Sequence, residues 1–494
     1  ISAEKININH YIFIDNVAGY SGGAIYVGQG SGNCVVNNSY FRGNNVTNVT
    51  GGHGGAIEWY AGNGTVLNST FIDNHAHDGG AIYVGHGSEE INISESTFRI
   101  NTAGTKGGAV SIEASKVTIN ASDFYDNNAT YGGALYVGGS GNLNYVYSSV
   151  FEGNKAKDGV GGAIYWEASS SYIYNTNLTS NCADYGGGLY LGGDSAESTI
   201  LNCSFTDNHA KFTGGAIDCN ASKMYLSNTT FDSNYAQFGS ALCREVNAKG
   251  GSGANNTFIN NHAYVAGAAL GWMGSVNITI TNYTFINTSA DVGGGAIYVS
   301  PDSINCSIIT SNFENNYVTN KTSTWDGNKF YWTAWDGEHM SFSLVLTTDP
   351  SLINTTVIGV DTIFYSSSEE AGKENMGVGG AISCLAANAT ITESNFTNNT
   401  ANKGGALYVG SYEGHTNINR SVFTSNIAYE IGGAINLHAS GVHIDEGEFY
   451  NNTAVNGSAL YVGGVGTANK VHESIFEGNN ATDHGGAIYW KAYE

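Results

Sequence analysis

Residues 22–32 read GGAIYVGQGSG, and residues 132–142 read GGALYVGGSGN, which is nearly the same stretch again. Counted from the first glycine, apolar residues stand at positions +3 and +5, with a tyrosine between them; in the first copy they are Ile25 and Val27. This alternation is typical of a β-strand that buries one face. The two glycines before the strand allow backbone angles that other residues rarely adopt, so they indicate a sharp corner.

The Gly-Gly corner and its strand recur along the chain. Strict Gly-Gly-Ala copies begin at Gly22, Gly54, Gly79, Gly107, Gly132, Gly161, Gly214, Gly294, Gly379, Gly404, Gly432 and Gly485, and looser copies begin at Gly186, Gly239, Gly267 and Gly457. A Phe-x-x-Asn motif precedes most of these copies, as at Phe13 and Phe41, and another alternating strand precedes the phenylalanine, as in EEINISESTF at 89–98. The sequence is therefore a tandem repeat.

A repeat of about 27 residues with two or three short strands is one coil of a parallel β-helix. We predict an all-β, single-stranded parallel β-helix of about 17–18 coils, in which residues 1–494 form one continuous solenoid. Equivalent residues then stack into ladders, with phenylalanine in the core and asparagine satisfying turn backbone groups. The coil count includes a degenerate copy at Phe364, inside the long gap between Phe313 and Phe396.

Composition narrows the range of partners. The chain has 42 acidic and 18 basic residues and a net charge of −24, so its field would repel nucleic acid and anionic lipid. No apolar run is long enough to insert into a membrane. The chain begins at ISAEKININH and stops at GGAIYWKAYE, both inside the repeat, so we expect a piece of a longer polypeptide.

Cysteine and histidine follow the repeat rather than a metal-binding spacing. The seven cysteines form no Cys-x-x-Cys pair, and Cys219 and Cys384 stand at the apolar +5 position, so we interpret them as core residues. His75, His209 and His262 each follow the asparagine of the motif and are interpreted as repeat-borne surface residues. We predict no metal site and no cofactor.

An enzyme is the hypothesis that the repeat disfavours. Polysaccharide hydrolysis needs two carboxylates that converge on one bond. Asp15, Asp73, Asp126 and Asp207 share one position of the repeat, so they belong to different coils. Gly85-His86-Gly87 resembles a polygalacturonase motif, but the companion motifs of that family are absent. We therefore predict no catalytic residues and no enzymatic activity.

The pairing of Gly-Gly-Ala-(Ile/Leu/Val) with Phe-x-x-Asn resembles the repeats of the chlamydial polymorphic outer-membrane proteins. The wealth of tyrosine, asparagine and glycosylation sequons is similar to the adhesin-like proteins of methanogenic archaea. These resemblances cover the chain except for an irregular insertion at about 317–362. They imply a right-handed parallel β-helix at the cell surface or outside the cell, with a role in adhesion or in the cell envelope.

The function expected from this resemblance is an adhesin-like shaft that attaches to cells or glycans. Its partners would be cell-surface glycans or proteins, or copies of itself lying end to end or side by side. The alternative is a structural subunit of an extracellular fibre or sheath built by end-to-end stacking of β-helices. A polysaccharide lyase or hydrolase is the third hypothesis.

Two sets of aromatic residues are candidate binding sites. The insertion carries Trp325, Tyr331, Trp332 and Trp335 beside several carboxylates, a combination that suits stacking against sugars. The alternative is a loop whose aromatic side chains are buried against the flank of the β-helix.

The second set is the tyrosine at position +4, which alternation places on the outside of the strand. Tyr26, Tyr83 and Tyr136 belong to this set, and rings at regular spacing could bind a polysaccharide or a neighbouring shaft. The alternative is that tyrosine is simply a good strand residue on a half-exposed face.

Asn-x-Ser/Thr sequons occur 26 times, more often than the composition explains. If the protein is secreted by an archaeon, outward-facing sequons become glycosylation sites. The candidates are Asn37, Asn68, Asn120, Asn202, Asn228, Asn282 and Asn395. The alternative is that asparagine, serine and threonine crowd the strand before each phenylalanine for structural reasons alone.

Overall fold

The computed structural model describes residues 6–138, 141–245, 248–319, 377–410, 415–463 and 468–491, together with the backbone of four strands between 324 and 366. These residues form strands and turns, and the part so described contains no helix. Apart from the four strands of the insertion, they are arranged in four parallel sheets of sixteen strands each. Each coil contributes one short strand to every sheet, so the predicted parallel β-helix is confirmed.

Most strands of sheet 1 have a buried apolar residue, such as Val66 or Ile119, between neighbours that are more exposed. Its strands are Asn7–Asn9, Val35–Asn37, Thr65–Leu67, Asn92–Ser94, Thr118–Asn120, Asn144–Tyr147, Ser170–Tyr174, Glu197–Leu201, Lys223–Ser227, Gly251–Ala254, Thr279–Thr281, Ser307–Ile309, Thr390–Thr392, Thr416–Asn419, Val442–Asp445 and Lys470–His472. The alternation predicted from the sequence is thus present.

Sheet 2 carries the phenylalanine ladder. The rings of Phe41 and Phe71 lie 4.7 Å apart and 3° from parallel, and this stacking repeats along the sheet, interrupted at Leu178. The strands are Ile12–Ile14, Tyr40–Arg42, Thr70–Ile72, Thr97–Arg99, Asp123–Tyr125, Val150–Glu152, Asn177–Thr179, Ser204–Thr206, Thr230–Asp232, Thr257–Ile259, Thr284–Ile286, Asn312–Glu314, Asn395–Thr397, Val422–Thr424, Glu448–Tyr450 and Ile475–Glu477. The predicted core ladder is confirmed.

Sheet 3 raises the number of strands per coil to four, where the sequence predicted two or three. Most of its strands bury an alanine and then shift register, as between Ala129 and Tyr131, so they lack regular alternation. The strands are Val17–Ala18, Asn45–Val46, His75–Asp78, Thr102–Lys106, Asn128–Tyr131, Lys155–Val160, Cys182–Tyr185, His209–Thr213, Tyr235–Phe238, His262–Ala266, Ser289–Ala290, Tyr317–Val318, Thr400–Lys403, Ile427–Ile431, Thr453–Asn456 and Asn480–His484.

Sheet 4 contains the strands that follow the Gly-Gly corners. Positions +3 and +5 fill the core, and Cys219 and Cys384 are buried there as predicted. The strands are Ile25–Val27, Ile57–Trp59, Ile82–Val84, Val110–Ile112, Leu135–Val137, Ile164–Trp166, Leu189–Leu191, Ile217–Cys219, Leu242–Arg244, Leu270–Trp272, Ile297–Val299, Ile382–Cys384, Leu407–Val409, Ile435–Leu437, Leu460–Val462 and Ile488–Trp490.

Most corners use both glycines, for different reasons, whereas Ser240, Ala268 and Ser458 take the second position in three looser copies. Gly132 has a φ of +66°, a conformation that residues with a Cβ rarely adopt. Gly133 lies so close to the next coil that a Cβ would stand 2.1 Å from the carbonyl oxygen of Gly162. The first glycine turns the chain, and the second allows the coils to stack.

The asparagine of the motif forms a second, internal ladder. Asn127 is fully buried, and its Nδ2 donates to the carbonyl oxygen of Phe98 at 3.1 Å and to Oδ1 of Asn154 at 3.0 Å. Its Oδ1 accepts from the backbone and side-chain nitrogens of Asn101, each at 3.0 Å. The predicted role of this asparagine in satisfying turn backbone is confirmed, because the amide replaces backbone partners that the corner removes.

The described residues of the shaft form sixteen coils, fewer than the predicted 17–18. Phe313 stacks directly on Phe396 with ring centroids 4.7 Å apart, which leaves no coil between them. Phe364 belongs instead to a separate four-stranded sheet. The strands of that sheet are Thr324–Trp325, Lys329–Ala334, Met340–Thr347 and Thr362–Ser366.

The insertion leaves and rejoins the shaft at neighbouring points. Thr319 N donates to the Ala290 oxygen at 2.8 Å, and Gly377 N donates to the Val292 oxygen at 2.6 Å. Thr319 and Gly377 therefore occupy the positions that the consecutive residues Asp291 and Val292 hold in the preceding coil. The shaft resumes at Gly377, later than the predicted end of the insertion at about 362.

Candidate binding sites

The tyrosines at position +4 are mostly covered rather than outward-facing. Tyr26 keeps 43% of its surface exposed, but Tyr83 and Tyr136 keep 6% and 4%. Tyr83 and Tyr136 are therefore buried, and the prediction that they lie on an outward, half-exposed face is wrong. A ligand would need an accessible ring, which these two tyrosines do not offer. Tyr26 alone of these three presents a ring to solvent.

The cover comes from the end of sheet 3, which the Gly-Gly corner brings against the outer face of sheet 4. The His53 ring stacks on Tyr83 with centroids 4.2 Å apart, and Lys106 Nζ lies 4.5 Å from the centre of the Tyr136 ring. The Tyr136 hydroxyl donates to Glu167 Oε2 at 2.8 Å. Burial raises the pKa of the Tyr83 and Tyr136 hydroxyls.

An acidic pair that was not predicted from the sequence includes one residue of this covered column, Asp218. Asp218 is fully buried and accepts a hydrogen bond from the Thr213 hydroxyl, and Glu245 follows on the next coil. Burial, and then the nearby Glu245 carboxylate, raises the pKa of Asp218 well above its ordinary value. Burial also raises the pKa of Glu245, and the Cys243 thiol donates to Glu245 Oε1 at 3.8 Å.

The burial of Asp218 does not suit contact with a large substrate. Asp218 is fully buried and offers no surface to a polysaccharide. Within the described residues, no three His, Cys, Asp or Glu side chains are arranged to hold a metal ion. The sequence signal that could have revealed the pair is an aspartate at a position +4 that is tyrosine in many other coils.

The aromatic residues of the insertion have only a backbone description. Trp325 lies in the strand Thr324–Trp325, and Tyr331 and Trp332 lie in the antiparallel neighbour Lys329–Ala334. Trp335 lies outside the described residues. Their role in binding stays a prediction.

A groove of about 600 Å³ opens on the shaft where the insertion leaves it. Both tyrosines that line it are accessible: Tyr317 keeps 42% and Tyr429 keeps 65% of its own surface exposed. Amide, hydroxyl and aromatic groups that converge on one concave surface are suited to sugars. The lining residues of this base groove are Asn315, Tyr317, Val318, Thr319, Asn398, Thr400, Asn402 and Tyr429.

Most candidate glycosylation sites lie on the surface. Asn68, Asn202, Asn228, Asn282 and Asn395 are exposed. All of these except Asn395 stand at the corner after sheet 1 with positive φ, for example +54° at Asn202. Asparagine tolerates this conformation better than most residues, so the structural explanation of the sequons has a physical basis at these corners.

The remaining two candidate sites, Asn37 and Asn120, are partly buried at the ends of strands in sheet 1. A glycan needs an accessible amide, so these two are the weaker candidates. Glycosylation of all seven sites stays a prediction.

Comparison with known proteins agrees with the repeat. The family model of the Chlamydia polymorphic membrane protein repeat matches residues 11–28, 68–85, 148–165, 393–410 and 473–489. Each matched range contains one Phe-x-x-Asn motif and the Gly-Gly corner with its strand that follows. The predicted similarity to the chlamydial repeats is thus confirmed, whereas the similarity to archaeal adhesin-like proteins stays a prediction.

A stretch of 151 residues is 29% identical to metabotropic glutamate receptor-like protein R of Dictyostelium discoideum. The match covers 30% of this chain and 9% of that protein, so the chain spans a small part of its relative. No solved structure matches the chain significantly. A membrane-crossing helix is not found among the residues that the structure describes.

Proposed function

We propose that this chain is an extracellular, cell-surface shaft that mediates attachment to cells through their glycans. The chlamydial-type repeats and the β-helical fold fit a surface-associated repeat protein, and this supports the location. The observation that carries the proposal is the base groove, which lies at the foot of an aromatic-rich insertion on an otherwise regular shaft.

The groove supplies the chemistry of attachment. Tyr317 and Tyr429 offer rings to the C–H faces of sugars, and the amides of Asn315, Asn398 and Asn402 offer donors and acceptors to hydroxyl groups. The net charge of −24 favours neutral glycans over acidic ones. The shaft holds this surface away from its point of attachment, because one continuous core makes it rigid.

A deletion variant tests the proposal. Removal of 320–376 joins Thr319 to Gly377, which restores the arrangement of Asp291 and Val292 in the preceding coil. The labelled full chain and the deletion variant are compared on an array of neutral and acidic glycans. We expect the deletion, which removes the insertion that borders the groove, to weaken binding to neutral glycans at least tenfold while circular dichroism stays unchanged; undiminished binding overturns the proposal.

Point variants separate the insertion from the groove. Trp332→Ala and Trp335→Ala test the insertion, and Tyr429→Ala tests the groove. Tyr131→Ala is the matched control, because Tyr131 is 39% exposed in sheet 3 but lies on a distant coil. Loss of about 1–2 kcal/mol of binding free energy is expected for each test variant and none for the control. Equal binding by all four variants contradicts a role for these aromatic residues.

The alternative function is a structural subunit of a fibre or sheath. Electron microscopy of the purified chain distinguishes the two: single rods of about 70 Å support the shaft, and long filaments support the fibre. We also propose that the chain has no enzymatic activity. Release of reducing ends or unsaturated products from polysaccharides would refute that part.

A further inference from the structure

An aromatic ladder with one ring missing lies on the outer face of sheet 1, well away from the base groove. The Tyr145 and Tyr172 rings stack with centroids 4.9 Å apart and 21° from parallel. The next residues in register are Thr199 and then Tyr225, on successive coils. A threonine therefore stands where a third ring would continue the stack, and a tyrosine resumes one coil later.

The gap has the thickness of one ring. Successive strands of a sheet lie about 4.8 Å apart, so the coils of Tyr172 and Tyr225 are separated by about 9.6 Å. A ring placed over Thr199 lies one step of the ladder from either wall. Tyr225 is 41% exposed and Tyr172 is partly exposed, so both walls have surface to offer a ligand.

The edge of the gap is polar. Glu197 and Lys223 lie two residues before Thr199 and Tyr225 on the same face, and Lys223 Nζ is 3.1 Å from Glu197 Oε1. Both side chains keep about half of their surface exposed, at 51% for Lys223 and 57% for Glu197. Thr199 stands in register between the two tyrosines, so a hydroxyl, a carboxylate and an ammonium group lie near the position of the missing ring.

We propose that this slot, formed by Tyr172, Thr199 and Tyr225 with Glu197 and Lys223 at its edge, binds one neutral hexopyranose unit. A pyranose ring has apolar C–H faces for the two tyrosines and hydroxyl groups around its edge for the polar rim. A purely apolar ring would cover the Thr199 hydroxyl without giving it a partner. The slot is independent of the proposed function, because it involves neither the insertion nor the base groove.

Filling the slot is the decisive test. Thr199→Tyr supplies the missing ring, so it should stack between its neighbours, leave the melting temperature unchanged or raised, and exclude the sugar. Thr118→Tyr is the matched control, since Thr118 lies in register on the far side of Tyr145 and lengthens the same stack without entering the slot. Tyr225→Ala removes one wall and should weaken binding about tenfold.

Saturation-transfer difference NMR measures such weak binding on the full chain. The probes are the methyl glycosides of glucose, galactose and mannose. To separate the slot from the base groove, each substitution is made in the chain that lacks 320–376 as well as in the full chain. In the shortened chain we expect saturation transfer to at least one probe, also with Thr118→Tyr added, and its loss with Thr199→Tyr. In that chain, transfer that survives Thr199→Tyr, or absence of transfer to all three probes, overturns the proposal. Transfer seen only in the full chain belongs to the insertion or the base groove and refutes the slot.

Discussion

At the scale of single residues, buried asparagine amides form the hydrogen bonds to turn backbone that water would form at an exposed turn. The side chain of Asn127 takes part in four hydrogen bonds that link three successive coils, through Phe98 and Asn101 on one side and Asn154 on the other. A short-chain substitute would leave the Phe98 oxygen and the Asn101 backbone N–H buried without these partners, while Asn101 Nδ2 keeps its bond to the Phe71 oxygen. Each such group costs about 1–3 kcal/mol.

Asn127→Ala should therefore destabilise the shaft by about 3–5 kcal/mol, as measured by denaturant unfolding. Asn92→Ala is the control, because Asn92 is exposed in sheet 1 and its loss should change stability by less than about 0.5 kcal/mol. An equal loss of unfolding free energy in the two variants would contradict the stabilising role of the internal asparagine ladder.

Asp218 makes stability depend on pH in a defined direction. Because its pKa is raised in the folded state, the native protein keeps a proton that the unfolded chain releases. Stability is then highest below the ordinary pKa of aspartate and falls as pH rises through the raised pKa. Asp218→Asn keeps an acceptor for Thr213 and removes this titration.

We predict that Asp218→Asn is more stable than the unaltered chain at pH 8, on the order of 1 kcal/mol, and that the advantage disappears near pH 4. Thermal melts between these two pH values measure it. The comparison variant is Asp126→Asn, which changes an exposed corner aspartate. If the melting temperatures of all three proteins change with pH in the same way, the pKa of Asp218 is not raised in the folded state.

At the scale of an element, the Gly-Gly corner controls the distance between coils. A Cβ at position 133 would meet the Gly162 oxygen at 2.1 Å and the Lys155 oxygen at 2.5 Å, both of which are backbone atoms of the next coil. Both are backbone atoms, so the coils must shift locally to admit a side chain at Gly133, although Ser240, Ala268 and Ser458 show that other corners are built around one.

Gly133→Ala should therefore cost about 3 kcal/mol or more and separate the coils locally. Hydrogen exchange should show lost protection first in the strands Leu135–Val137 and Ile164–Trp166, on either side of the clash. Gly51→Ala provides the control, since a Cβ there has nothing within 4 Å. If the two strands are protected equally well in Gly133→Ala and Gly51→Ala, this corner also tolerates a side chain.

The sequence predicted those elements whose signal lies within one repeat. Phe71 and the alternation around Ile82 and Val84 identify sheets 2 and 4 because each strand carries its own pattern. Sheet 3 was missed because its strands lack regular alternation.

Contacts between elements left no such signal. Alternation says that Tyr83 points away from the core, but not that His53 covers it. Asp218 and Glu245 likewise meet only because the coils stack. The candidate sites depend on such contacts, so they were predicted less well than the fold.

At the scale of the whole molecule, stacking of the coils is independent of the insertion. Ile308 pairs with Ile391 and Phe313 with Phe396, as in any two successive coils. The deletion of 320–376 should therefore change the melting temperature by no more than about 2 °C. Differential scanning calorimetry measures this, with the full chain as reference. A large fall would show that the insertion supports the shaft.

The adjacency of Thr319 and Gly377 has an evolutionary consequence. A segment whose two ends meet at the site of a single peptide bond can be exchanged, lengthened or lost without moving any coil, and the entropy of closing a longer loop grows only slowly. Selection can then act on the guest segment while the host lattice stays constant. Related chains would be expected to diversify by replacing whole cassettes at this junction rather than by altering the repeat.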